Sequence, residues 1–213
     1  MPYYGSSSNR YLNGTTIYAN NYKYSNIRAY LNGINNQFVT DGGAAGSYNI
    51  DWSNKGFLQG AFTASAQGLI DDTEVDNSAR STNPDGDDNA TLWNDGENQY
   101  ACDKTKDKIF LLSIQEVTKE DYGFTAYNIY GEGNSRIRVT TDYAKANYSY
   151  QETTTGYGGY WWLRSPDCSD YGVARNIDCD GSGYIFELVC SNGAGVVPAL
   201  CLKLNWQSQF YLI

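Results

Sequence analysis

Acidic and amide side chains crowd one short stretch of the chain: Asp85, Asp87, Asp88 and Asn89, followed by Asp95 and Glu97. Hard Ca²⁺ takes six to eight oxygen ligands, so this stretch is a candidate calcium loop, with Asp85, Asp87, Asp88, Asn89 and Asp95 as expected ligands. The EF-hand register fails, because its sixth position is Ala90 rather than glycine and its twelfth is Gly96 rather than an acid. Apart from calcium no cofactor is expected. Without the ion, residues 76–98 should be among the more mobile parts of the chain.

Nucleophilic and metal chemistry is narrowed by what the chain lacks. There is no histidine, which removes Ser-His and Cys-His nucleophiles, His-based zinc sites and a histidine proton switch. The five cysteines, Cys102, Cys168, Cys179, Cys190 and Cys201, form no Cys-x-x-Cys pair, and their odd number leaves at least one thiol unpaired within the chain. Twenty-four acidic residues show no local pair poised for glycoside hydrolysis, so a two-carboxylate hydrolase stands only as an alternative reading.

The net charge of −9, from 15 basic and 24 acidic residues, removes the electrostatic attraction that dominates binding to nucleic acid or anionic membranes. No apolar run approaches a membrane span, so no membrane insertion is expected. The opening Met1-Pro2-Tyr3-Tyr4-Gly5 lacks the basic and apolar regions of a signal peptide and reads as the start of a domain cut from something larger. Twenty tyrosines and 22 glycines point to a loop-rich, aromatic globule. Tyr with Ser, Gly and Asn is also the composition of paratopes, where rigid amphipathic rings supply contact area.

The elements that must position these groups are short. Ile27, Tyr30, Leu31 and Ile34 recur at helical spacing after the cap Ser25, which predicts a helix over 25–33 ended by Gly33. A second helix is expected over 56–70, a buried strand over 107–112, a helix opened by the Ser113/Glu116 capping box through about 120, and another starting at Thr141 or Asp142. Four β-prone runs, 160–164, 171–177, 184–189 and 196–204, are separated by turn residues and predict a small antiparallel meander. Helices first and strands last give an α+β class, a single domain over 1–213 with residues 109–112, 161–163 and 196–202 in its core.

Tyr160-Trp161-Trp162-Leu163-Arg164-Ser165-Pro166, followed by Gly195-Val196-Val197-Pro198-Ala199-Leu200, is the most specific pattern in the chain. With the 25–32, 57–62, 107–113 and 141–144 segments in order, it resembles the formylglycine-generating-enzyme-like branch of the C-type lectin fold. The match is to bacterial and viral domains ending in Trp-Trp-Leu-Arg-Ser-Pro and Gly-Val-Arg-Pro-Ala-Leu, some of which are variable proteins of diversity-generating retroelements. Val197 stands where that family usually has Arg, and Cys201 where it often has Trp. The resemblance implies a C-type-lectin-like fold with short helices around a small twisted antiparallel sheet. It also implies a receptor- or adhesin-type binding protein on a cell or virion surface, with a retroelement-diversified segment at about 167–192. The superfamily's enzymes depend on a cysteine-based copper site that no cysteine motif here matches, so no enzymatic activity is implied; a structural module of a surface or virion protein is a further alternative.

The expected binding residues are Asp167, Cys168, Ser169, Asp170, Tyr171, Arg175, Asn176, Asp178, Cys179, Asp180, Ser182 and Tyr184. They should share one solvent-facing surface above Trp161, Leu163, Val173 and Ile177, because exposed positions tolerate substitution far better than buried ones. Tyr171, Tyr184 and Arg175 are the expected anchors, since Tyr and Arg dominate interface hot spots. The partner expected is a macromolecule such as a host surface protein or glycan.

Overall fold

The computed structural model of the protein describes residues 3–36, 39–40, 50–79, 98–125 and 134–203, apart from the side chains at 134 and 184–186. Within them the α-helices are α1 (Asn26–Asn32), α2 (Phe57–Ala61), α3 (Ala64–Leu69) and α4 (Asp142–Ala146). Two small antiparallel pairs, β1 (Arg10–Leu12) with β2 (Thr15–Ile17) and β3 (Thr73–Val75) with β4 (Thr105–Asp107), precede the main sheet. That sheet is an antiparallel meander in the order β5 (Trp161–Pro166), β6 (Val173–Ile177), β7 (Gly183–Leu188). Short helices, small antiparallel sheets and much irregular backbone make the chain α+β, as its sequence predicts. The acidic loop with Asp85, Asp87, Asp88, Asn89 and Asp95 lies outside the described residues.

Pairing Trp161 with Ile177 and Trp162 with Asn176 sends alternate side chains of β5 to opposite faces, and each face meets its own apolar cluster. Trp162 and Ala174 pack with Tyr3, Tyr22, Ile27, Leu31, Ile109 and Leu111. Trp161, Leu163 and Ile177 pack with Ile114, Val117 and Phe124. A sheet covered on both faces shuts every residue of β5 and β6 from water. Polar members need internal partners. Trp161 Nε1 donates to Arg136 O at 3.0 Å. The Arg164 guanidinium is held by both oxygens of Glu116 and donates to Leu111 O at 2.8 Å and Asp76 O at 3.1 Å, tying β5 to two loops.

Four expectations shift. The predicted 56–70 helix breaks at Phe62, because Thr63 accepts Ala66 N–H at 3.3 Å and caps a new helix. The 107–112 run is buried at Ile109, Phe110 and Leu111 but is not a strand beyond Asp107. Side chains take much of its backbone instead: Asn32 Oδ1 accepts Lys108 and Ile109 N–H at 3.0 and 3.1 Å, and the Tyr22 hydroxyl accepts Leu111 N–H at 3.3 Å. The Ser113/Glu116 capping box forms, but only 3₁₀ turns, Glu116–Thr118 and Glu120–Tyr122, follow it. Residues 196–202 are only partly in the core: Val196 and Leu200 touch the first cluster, Val197 the second, and Leu202 is exposed.

Candidate functional site

The residues expected to form one exposed surface are divided by the sheet. The β5–β6 connection carries Asp167 to Tyr171 and the β6–β7 connection carries Asp178 to Ser182. In an antiparallel meander these connections lie at opposite ends of β6, a five-residue strand about 16 Å long. Trp161, Leu163, Val173 and Ile177 are buried, as expected of the layer beneath.

Three of the expected surface residues are also buried, which corrects their placement: Asp167, Arg175 and Asn176. Both faces of the sheet are covered, so Arg175 on one face and Asn176, opposite Trp162, on the other are both enclosed. Asp167 Oδ1 accepts the Ser169 N–H at 2.8 Å, the Ser169 hydroxyl at 2.6 Å and the Asp170 N–H at 3.2 Å, so it organises its turn from inside. Arg175 Nη2 lies 3.7 Å from Asp167 Oδ2. Ser169, Asp170 and Tyr171 are exposed, and the Tyr171 ring leans on Tyr18 and Tyr100 at 6.5 Å from each.

At the other end Asp178, Cys179, Asp180 and Ser182 are half-buried, as is Cys168 near the first turn. This turn is bonded within itself, Asp178 N–H to Ser182 O at 2.7 Å, and from outside, where Arg136 Nε donates to Gly181 O at 2.6 Å. Burial first, then the hydrogen bond to Asp178, push the Cys179 thiol up to about 11; burial likewise raises Cys168. Both thiols are therefore poor nucleophiles near neutral pH. All five cysteines carry free thiols. The Tyr184 side chain lies outside the described residues.

A different part of the molecule is concave. A cavity of about 630 Å³ opens between α1, residues 50–57, α4 and residues 192–198. Small-molecule and peptide-side-chain sites occupy about 300–1,000 Å³. Each wall follows from local chemistry. Ser25 Oγ accepts Arg28 N–H at 3.1 Å and Gly33 ends α1 with φ 62°, so Asn26 and Tyr30, one turn apart, present one helix face to the cavity.

Residues 52–56 are bound to that helix end: Trp52 N–H donates to Ile34 O and Asn54 N–H to Gly33 O, both at 3.2 Å. Gly56 makes this approach possible, since a Cβ there would stand 2.1 Å from Tyr30 O and 2.7 Å from Gly33 Cα. The result is an aromatic corner, with Tyr30 edge-on to Trp52 at 4.9 Å and tilted against Phe57 at 6.3 Å. The Trp52 indole nitrogen is buried with no hydrogen-bond acceptor among the described residues.

The opposite wall is α4, started by Thr141, whose hydroxyl accepts Ala144 N–H at 3.2 Å. It brings Tyr143 and Tyr148 to the rim, both largely exposed. Tyr150 N–H donates to Gly193 O at 2.9 Å and Gly195 N–H to Tyr160 O at 2.7 Å, which seats the 192–198 wall beside α4. Among the described residues the lining holds five aromatic rings and no Asp, Glu, Lys or Arg. The sequence reading missed this site. Its one local signal is the tyrosine-rich stretch Tyr143, Tyr148, Tyr150, whose partners lie about a hundred residues earlier.

Among the described residues no three acidic or cysteine side chains converge as a metal site, and no helix is long and apolar enough to cross a membrane. No curated protein and no solved structure matches the chain. One family does, described as a domain of unknown function, over residues 4–204, nearly the whole sequence. The chain therefore belongs to the DUF6273 family.

Proposed function

We propose that this protein is a ligand-binding domain of receptor or adhesin type rather than an enzyme, and that the cavity between α1 and α4 receives an uncharged part of its ligand. The observation that carries this reading is the lining itself: five rings from three separate segments, with no carboxylate or amine among its described residues. Binding sites of this kind gain affinity from apolar area and take orientation from a few polar groups. A two-carboxylate hydrolase finds less support, since Glu116, Asp107 and Asp167 are each held by an arginine: Arg164, Arg28 and Arg175. The test is a set of small neutral probes, phenol, indole and N-methylacetamide, followed by amide and indole NMR shifts. Shifts clustering at Trp52, Tyr30 and Tyr143 are the expected result; shifts scattered over the surface would reject the cavity as the site.

The C-type-lectin-like reading of the fold is supported by the Trp161-to-Pro166 strand at the start of a terminal meander. A retroelement-diversified display surface rests on fewer residues than its sequence suggests, chiefly Ser169, Asp170 and Tyr171. A reverse transcriptase beside the gene, with a near-repeat of the 167–184 coding segment differing only at adenines, is the observation that decides it. Their absence removes the idea.

A further inference from the structure

An asparagine followed by glycine is the step of a chain most open to spontaneous cyclisation, because glycine sets no Cβ in the way of its own nitrogen. The sequence has three such steps, Asn13-Gly14, Asn32-Gly33 and Asn192-Gly193. All three lie among the described residues, and the fold treats them differently.

The Asn32 carboxamide is locked. Its Nδ2 donates to Arg28 O at 3.2 Å and Ile109 O at 2.8 Å, and its Oδ1 accepts the Lys108 and Ile109 N–H groups. Asn13 is exposed, but at φ 49° it forms half of the two-residue turn between β1 and β2. For the glycine nitrogen to reach the asparagine side chain, the asparagine backbone must open toward an extended ψ. In this hairpin that swing would unpair Leu12 from Thr15. Thr40 N–H, donating to Tyr11 O at 2.8 Å, braces the hairpin against it.

Asn192 has neither restraint. It is exposed, lies outside every helix and strand, and its φ is not in the left-handed region. The attacking nitrogen, Gly193 N, donates to the adjacent Ser191 Oγ at 3.1 Å, a bond that one hydroxyl rotation releases. Gly193 O accepts Tyr150 N–H at 2.9 Å. That bond anchors the glycine from its far side while the Asn192 side chain swings onto its nitrogen.

We propose that Asn192 is a modification site, converting to isoaspartate and aspartate through a succinimide. Gly193 N gives its proton to solvent base and bonds to Asn192 Cγ; the Cγ–Nδ2 bond breaks and the nitrogen leaves as ammonia. Water then opens the ring at either carbonyl. The net change is amide plus water to carboxylate plus ammonium, with no oxidant, reductant or metal. Because Asn192 lines the cavity between α1 and α4, the reaction puts a negative charge on a lining whose described residues carry none. Isoaspartate also lengthens the backbone of that wall by a methylene. The modification stands whether or not the cavity takes a ligand.

The experiment ages the folded full chain for several weeks in mildly alkaline buffer made with heavy-oxygen water, beside a urea-unfolded sample, and maps the peptides by mass spectrometry. In the folded chain Asn192 should take up heavy oxygen at least about tenfold faster than Asn13, with Asn32 unaltered. In urea the three should react at comparable rates, so that the fold sets the order. Gly193→Ala should slow labelling at Asn192 at least about tenfold with Tm nearly unchanged, since the added Cβ would meet only Ser191 Oγ, at 3.5 Å. Asn13 or Asn32 keeping pace with Asn192 in the folded chain overturns the proposal, as does a folded Asn192 that stays unlabelled or a Gly193→Ala rate within about threefold of the parent. The comparison of the three sites within the parent chain holds even if the variant fails to fold.

Discussion

Arg175 and Asp167 meet inside the protein, Nη2 to Oδ2 at 3.7 Å, where the β5–β6 connection folds back along β6. Both side chains are shut from solvent. The pair turns two residues with the chemistry of a binding surface into the inner frame of a turn.

Asp167→Ala is expected to cost about 3–5 kcal/mol, because it removes the countercharge of a buried guanidinium and the acceptor of three hydrogen bonds. Ser182→Ala, at the other end of β6, should stay within about 0.5 kcal/mol. Chemical denaturation of the two variants is the measurement. A loss below about 1 kcal/mol at Asp167 would mean that the charge pair and the turn are not structural.

Asn176 lies opposite Trp162 in the ladder, buried, with neither its amide oxygen nor its amide nitrogen bonded among the described residues. Such a group carries a desolvation cost of about 1–3 kcal/mol that an apolar side chain of similar volume avoids. Asn176→Leu should therefore raise Tm, by about 2–4 °C for each kcal/mol in a chain of this size. An unchanged or lowered Tm would indicate that the site cannot accept the altered branching.

Gly56 seats the aromatic corner by letting the chain pass against Tyr30 O and Gly33 Cα. Backbone on both sides cannot move aside as a flexible side chain can. Gly56→Ala is expected to cost about 3 kcal/mol or more and to weaken any ligand bound at Trp52 and Phe57. Gly60→Ala is the control, since nothing lies within 4 Å of a Cβ there and a helical glycine gains from the change. Thermal melts of the two should move in opposite directions.

Burial raises the Cys102 thiol from its ordinary 9.0 to about 11. A group raised on folding keeps its contribution below the unfolded value and loses it as pH climbs through the folded one. Stability should thus fall between about pH 9 and pH 11, by about 2–3 kcal/mol more in the parent chain than in Cys102→Ala. Tyr22, also raised by burial, adds its own alkaline loss to both proteins; Tyr3 is raised by burial first and then by Cys102, so its loss shrinks in the variant and widens the difference. Identical pH profiles for parent and variant would assign the alkaline loss to the tyrosines alone.

Local signals were legible wherever the bond that matters closes within a few residues. Ser25 and Gly33 bracket α1, Thr141 caps α4, and Ser113 with Glu116 forms the capping box; each is readable because donor and acceptor lie within one turn. The order of β5, β6 and β7 was legible for the same reason, from β-prone runs punctuated by turn residues, but the expected fourth run, 196–204, makes only isolated bridges, Ala199 to Phe110 and Leu202 to Ile70, among its described residues. Burial of Arg175 and Asn176 was not. Alternation along a strand says which side chains share a face, but not whether that face is covered. The cover on the Arg175 face, Ile114, Val117 and Phe124, comes from about fifty residues upstream, and that on the Asn176 face, Tyr3, Tyr22 and Ile27 among it, from farther still. Nor could local pattern reveal the cavity, whose walls, Tyr30, Trp52, Tyr148 and Val196, are adjacent only after long-range packing. Composition and short spacings determine which bonds a segment can make with itself; which of its faces meets water depends on distant segments competing for the same apolar surface, and that the tertiary fold alone decides.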